Sequence, residues 1–222
     1  MIINVVEASK MNKFYKKYGY FLLLFFIIIS LFDMRFAIAA IICMAAPVLF
    51  AVIGKGRYWC GNYCPRGNFY DNILIKISPK RKVPKFFKNT IFRIFMVLFI
   101  ITNFSIGVYK NWGNLYGIGF VFYKIIVITT IVAIILGAIY NERTWCNFCP
   151  MGTISYAIAK YRGRKTNLYV SDTCVGCNLC SKQCPMGISP KEYKDGTVTD
   201  SDCILCQKCV YKCPKNSIII KK

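Results

Sequence analysis

Four apolar stretches fill most of the first 140 residues of this chain and leave almost no polar surface for a water-soluble fold. They run from Tyr18 to Phe32, from Phe36 to Ile53, from Ile91 to Tyr109 and from about Phe120 to Tyr140. A membrane-spanning helix needs roughly 17–25 apolar residues at about 1.5 Å each. The last three meet that length, and the first does so only if the interfacial Tyr15 is included. Local thinning of the bilayer or packing would absorb the deficit. The first run is followed by Asp33-Met34-Arg35, not by a small-residue cleavage site, so it is expected to stay in the membrane. The expectation is an α-helical polytopic membrane domain over residues 18–165, with four transmembrane helices in two hairpins.

Charge orients these spans. The chain carries 30 Lys and Arg against 9 Asp and Glu, yet 56% of it is hydrophobic. The cations flank the apolar runs and form no separate basic domain, which speaks against a nucleic-acid partner. Lys10, Lys13, Lys16 and Lys17 lie in the segment 1–17. Ten more cations lie between Lys55 and Arg93, and five between Asn141 and Lys165. The other two turns hold only Arg35, Lys110 and Lys124. By the positive-inside rule, both termini and the middle loop face the cytoplasm and the chain is a multi-pass protein of the cytoplasmic (inner) membrane, with lipids as partners. Trp112, Tyr116, Phe122 and Tyr123 suit an interfacial belt on the outer side. The run Ser78–Lys88 is a topology determinant, with attraction to anionic lipid as the alternative. Arg93, near a span end, is expected to snorkel to the surface. Trp59 and Trp145 are expected to anchor at the interface.

The chain has 13 cysteines and no histidine. Histidine-ligated haem, Cys/His zinc sites and hydrolases with a histidine base are thereby excluded. From about Thr166 the apolar runs stop and the cysteines recur. Cys174, Cys177, Cys180 and Cys184 precede Pro185, and Cys203, Cys206, Cys209 and Cys213 precede Pro214. Both sets read C-x2-C-x2-C-x3-C-P, and strands are expected at Leu168–Val170, Gly196–Thr199 and Ser217–Ile220. This run resembles the two-cluster bacterial ferredoxins. The resemblance implies a small α+β ferredoxin-like domain over 166–222 with two [4Fe–4S] clusters. In those proteins the fourth cysteine of each run ligates the other cluster. Carried over, Cys174, Cys177, Cys180 and Cys213 hold one cluster, and Cys203, Cys206, Cys209 and Cys184 hold the second.

The membrane half repeats itself. The second span ends in Arg57-Tyr58-Trp59-Cys60-Gly61-Asn62-Tyr63-Cys64-Pro65-Arg66-Gly67, and the fourth in Arg143-Thr144-Trp145-Cys146-Asn147-Phe148-Cys149-Pro150-Met151-Gly152. Each motif follows a pair of spans on the cytoplasmic side. Paired membrane-border Cys-Pro motifs with a ferredoxin-like tail resemble the NapH-type membrane iron–sulfur proteins, which are proposed to take electrons from quinol for periplasmic nitrate reductase. The membrane halves of NosR-type and reductive-dehalogenase-associated proteins are similar, as are cytochrome oxidase assembly proteins with copper-reductase activity. The second motif departs from the family pattern, with C-x2-C-P where C-x3-C-P is usual. No extracytoplasmic flavin-binding domain of the NosR type is present.

Cys60, Cys64, Cys146 and Cys149 leave several readings open: a further Fe–S cluster, a soft metal such as Cu(I) or Zn, thiol/disulfide chemistry, or a structural role. Cys43 is expected to be an inert packing residue. The reading is a membrane electron-transfer subunit, a component of an oxidoreductase system, that needs redox partner subunits or a quinone to complete its circuit. The alternative is an assembly factor that reduces or delivers copper with the same clusters.

Overall fold

The computed structural model describes residues 14–221. Lys10 and Lys13, with most of the segment 1–17, lie outside them. Residues 14–18 are helical and Gly19 keeps helical dihedrals, so they lead almost directly into α1 (Tyr20–Phe32). Asp33 stops α1 in extended geometry, and its carboxylate accepts the Arg35 N–H that opens the next helix.

That helix runs from Met34 to Lys55 in three pitches. A 3-10 stretch (Met34–Ala39) leads into α2 (Ala40–Phe50), and a π-helical turn (Ala51–Lys55) follows. The helical geometry breaks inside that turn at Gly54, and Gly54 and Gly56, both with positive φ, turn the chain into the first cysteine motif. α3 (Tyr58–Asn62) and α4 (Pro65–Asn72) build that motif. α5 (Thr90–Lys110) and α6 (Leu115–Ile139) form the second hairpin, with Asn89 and Asn114 accepting the first free N–H groups of each. α7 (Pro150–Arg162) closes the second motif.

Three helices are long and apolar enough to cross a membrane: Met34–Lys55, Thr90–Lys110 and Leu115–Ile139. α1 has 13 residues, about 20 Å of helix against a hydrocarbon core of about 30 Å. Large apolar side chains cover the outside, among them Phe25, Ile42, Leu98 and Ile131. Arg93 is the one buried residue of α5. A surface of that kind belongs against lipid or protein, not water.

The C-terminal part is a three-stranded antiparallel sheet in the order β2-β1-β3, made of β1 (Asn167–Val170), β2 (Gly196–Thr197) and β3 (Ile218–Lys221). The strands fall within about two residues of the segments expected from sequence. Two one-turn helices, α8 (Leu179–Gln183) and α9 (Lys208–Lys212), pack against each other. Leu168, Val170, Met186, Val198, Ile204 and Ile218 form the core. Burying each such side chain contributes about 1.5–3 kcal/mol.

Two expectations are corrected. Arg93 does not snorkel. It is buried, stacks on the Tyr156 ring at 4.7 Å and donates to Asp202 at 2.9 Å, because its helix end faces the C-terminal part and not lipid. Trp145 is no interfacial anchor: it is 3% exposed and packs edge-on against Phe148. Cys43 lies on the exposed outer face of α2.

Candidate iron–sulfur sites

The two C-terminal cysteine runs are offset by 29 residues, and their backbones repeat with the same offset. Positive φ recurs at Gly176 and Leu205, at Asn178 and Gln207, and at Gly187 and Asn216. The C-x2-C-x2-C loop therefore turns the same way twice. In the second copy it does so without glycine, at a cost of about 1–2 kcal/mol per residue. Strain of this kind persists where surrounding structure imposes it, and it clusters at functional sites. α8 and α9 follow the second cysteine of each run and end at Cys184 and Cys213, which adopt the same extended geometry before Pro185 and Pro214. The Cys184 and Cys213 Sγ atoms accept the N–H groups of Ile188 and Ser217, each at 3.4 Å.

One cavity is lined by Cys184, Cys203, Cys206 and Cys209 together. Three cysteines of the second run thus meet the last cysteine of the first. Of the other set, Cys180 lies in the same core, with Cys174 and Cys213 packed against it, while Cys177 is exposed. All thirteen cysteines are free of disulfides. Among the described residues, no three His, Cys, Asp or Glu side chains converge on a single-ion site. A cubane does not need such convergence, because each thiolate binds a different iron. The donor set, the shared cavity and the repeated loop geometry fit a [4Fe–4S] group.

The membrane-border motifs are built as a crossed pair. Cys64 and Cys149 are the N-caps of α4 and α7, with Pro65 and Pro150 at the first helical position, where the missing proline N–H has no helical partner to lose. The Cys64 N–H donates to the Trp59 carbonyl and the Cys149 N–H to the Trp145 carbonyl, each at 3.0 Å. The residue missing from the second motif is absorbed between these fixed points. An α-turn spans Tyr58–Asn62, whereas a tighter 3-10 turn spans Thr144–Asn147.

The arginine of each motif reaches into the other. Arg143 Nη1 donates to the Cys60 carbonyl at 2.8 Å, and Arg57 Nη2 donates to the Cys146 carbonyl. The motif glycines make room for this. A Cβ on Gly67 would strike the Arg143 guanidinium, and one on Gly152 would strike that of Arg57. Sequence reasoning missed this exchange, although the repeated R-x-W-C and C-P-x-G signals were the trace of it.

Carboxylates hold the arginines from behind. Asp202 accepts from Arg57 at 2.8 Å and from Arg93 at 2.9 Å. Asp71 accepts from Arg143 at 2.7 Å and from Lys208 at 2.9 Å, and Lys208 also donates to Glu142 at 3.1 Å. Burial works against the Asp71 carboxylate, but Arg143 and Lys208 outweigh it and hold its pKa at about 2. Four paired cations thus face three carboxylates, and buried Arg66, outside these ion pairs, adds further positive charge near Cys64, Cys146 and Cys149. The N-termini of α4 and α7 add to it.

Burial pushes Cys60 up to about 11 despite Arg57, and Cys64 up to about 12 with Cys60 adding to the rise. A bound metal deprotonates its thiols outright. Arg57 Nε and the Trp59 and Trp145 indole N–H groups are buried with no acceptor among the described residues. Buried guanidiniums beside the thiols fit a thiolate-ligated cluster, which carries negative charge.

The C-terminal part sits on these motifs through its second loop, and Lys88 adds a contact outside them by donating to the Met186 carbonyl. Asp202 before that loop and Lys208 within it make the ion pairs above. Asn62 Nδ2 donates to the Leu205 carbonyl at 3.2 Å, and Lys16 Nζ to the Cys206 carbonyl at 3.1 Å. Gly61 lets the Ile204 carbonyl approach so closely that a Cβ there would collide with it. Cys60 and Cys146 pack against the C-terminal core. Cys64 and Cys206 both line a cavity of about 210 Å³, together with Asn62, Asp71, Arg143 and Lys208.

The fold and these sites define an iron–sulfur protein, and comparison with known families agrees. Residues 36–84 and 124–168 each match a family model described as a 4Fe-4S binding domain, and residues 173–218 match a 4Fe-4S dicluster domain. The chain therefore carries ferredoxin-type 4Fe–4S domains, which support an electron-transfer role. The two matches to the first model coincide with the two halves of the membrane-border repeat. The chain is similar to two proteins of Methanocaldococcus jannaschii. It is 28% identical to "Uncharacterized protein MJ0749" over 189 residues, covering 82% of this chain and 70% of the relative. It is 25% identical to "Uncharacterized protein MJ0750" over 213 residues, covering 89% and 86%. No solved structure matches the chain.

Proposed function

We propose that the chain is a multi-pass electron-transfer subunit of the cytoplasmic membrane, of the NapH-like kind, with four spans and both termini in the cytoplasm. In this reading residues 18–165 are the membrane domain and 166–222 the two-cluster domain. Cys174, Cys177, Cys180 and Cys213 hold one [4Fe–4S] cluster, and Cys203, Cys206, Cys209 and Cys184 the second. Cys60, Cys64, Cys146 and Cys149 hold a third group at the border. When bound, a cubane takes up and releases one electron at a time.

The observation that carries the reading is the seating of the 203–209 loop on both membrane-border motifs, which sets Cys206 and Cys64 on one small cavity. Asp202 and Lys208 clamp that loop at its two ends, fixing the spacing between the second set and the border set. Arg57 and Arg143 bias the border site toward an anionic occupant. A quinone or a partner subunit would take the electron beyond the border.

Iron and sulfide analysis of anaerobically reconstituted protein tests this, with wild type beside a variant with Cys60, Cys64, Cys146 and Cys149 all changed to Ser. Wild type is expected to hold roughly twelve irons and the variant roughly eight, at four per cubane. Fewer than about eight in wild type overturns the relay. Equal iron in both removes the border cluster and returns those cysteines to copper or structure.

A further inference from the structure

The two cluster loops have the same backbone and opposite surroundings. The 203–209 loop is buried or half-buried throughout. Its flanking Asp202 and Lys208 pair with the membrane half. Twenty-nine residues earlier these positions are Thr173 and Leu179, which carry no charge. Residues 175–179 are all exposed, with Val175 64% exposed and Leu179 36%. The first loop thus makes none of the contacts that seat the second.

The exposed apolar tip has a cationic border. Lys182 stands two residues beyond Cys180, and Lys212 and Lys215 flank Cys213-Pro214. All three lysines are exposed, and none takes part in an ion pair among the described residues. Asp172 is the one nearby carboxylate in sequence. An exposed apolar segment inside a cysteine run, with exposed, unpaired lysines next to the cysteines of the same proposed ligand set, suits a transient protein contact. Interfaces of this kind steer their partner by charge and hold it by a small apolar core. A membrane surface is the weaker candidate, because the domain already turns its other loop toward the membrane half.

We propose that the 174–179 loop, with Lys182, Lys212 and Lys215 around it, is the docking surface for a small acidic one-electron carrier protein. The inference rests on the ligand sets proposed above. In the exchange, one electron passes between the carrier's redox centre and the group held by Cys174, Cys177, Cys180 and Cys213. One partner is oxidised and the other reduced by one electron, and no bond or proton moves.

The test is stopped-flow electron exchange between the intact protein and a reduced, strongly acidic ferredoxin, followed over a range of ionic strength. Iron content and EPR are recorded for every sample. Wild type should react fast at low salt and slow steeply as salt rises. Changing Lys182→Glu and Lys215→Glu together should lower the low-salt rate constant by about tenfold or more, with the difference fading at high salt. Val175→Asp should lower the rate at every salt concentration. Lys80→Glu with Lys82→Glu, the same charge change elsewhere on the surface, should leave the rate within about twofold of wild type. A wild-type rate indifferent to salt, or equal losses in the Lys80/Lys82 variant, overturns the surface. Wild type without the iron of two cubanes overturns the reading beneath it instead.

Discussion

Arg57 and Arg143 each serve the other's repeat, and that exchange explains why arginine, cysteine and glycine recur at matching places. The arginine crosses to the carbonyl of the partner motif's first cysteine, and the partner glycine leaves it space. The repeat itself was legible, but the crossing was not. The partners lie 83 and 89 residues apart, and only tertiary packing decides that they meet. Arg93 was misread for the same reason. A cation at a span end snorkels when its side faces lipid, and here it faces Asp202, 109 residues on. Asp202 is therefore a critical single residue. Changing Asp202→Asn leaves two buried guanidiniums without a counter-charge, at a cost of about 3–5 kcal/mol. Hydrogen exchange of the 203–209 amides is the measurement. It should speed up strongly there and stay unchanged in the Ala133 region of α6. Unchanged protection at 203–209 would show that the ion pairs do not hold the loop.

At the level of elements, the two Cys-Pro pairs are helix starts, which the sequence announces through proline at the first helical position. The strands of the C-terminal part were legible because short β-branched segments bracket the cysteine runs. The three pitches of the Met34–Lys55 stretch were not: Pro47 and Gly54 mark it as irregular, but the apolar run does not say where 3-10, α and π geometry begin. The near-spanning first helix shows the converse. Its apolar run is short, and the helical residues 14–18 before it, with Tyr15 donating to the Tyr63 carbonyl at 2.8 Å, tie its start to the border. The 29-residue backbone repeat makes a paired expectation. Gly176→Ala has open space around its Cβ and loses only backbone freedom at φ +70°, about 1–2 kcal/mol. Leu205→Ala sits at the equivalent position but empties a buried site that is 1% exposed, at about 2–5 kcal/mol. Thermal bleaching of the visible cluster absorption should rank the two in that order. The reverse ranking would mean that the loops are not equivalent in fold.

For the whole molecule, the apolar coat and the cysteine runs were readable in advance, and the mode of docking was not. Nothing in the spacing of two identical cysteine runs says which one meets the membrane half. The difference lies in Asp202 and Lys208, ordinary surface charges by type, which acquire meaning only opposite Arg57, Arg93, Asp71 and Glu142. The result is a domain with one loop seated and one loop free, which suits a relay between solvent and membrane.

That seating is tested most directly by EPR of the fully reduced, iron-replete protein, beside Gly61→Leu, in which a side chain would push the Ile204 carbonyl away. Wild type should show the second ferredoxin-like cluster and the border centre broadening each other by magnetic interaction. Gly61→Leu should keep its iron and lose that broadening. A wild-type spectrum that is the plain sum of independent clusters, identical to that of Gly61→Leu, would contradict the docked relay.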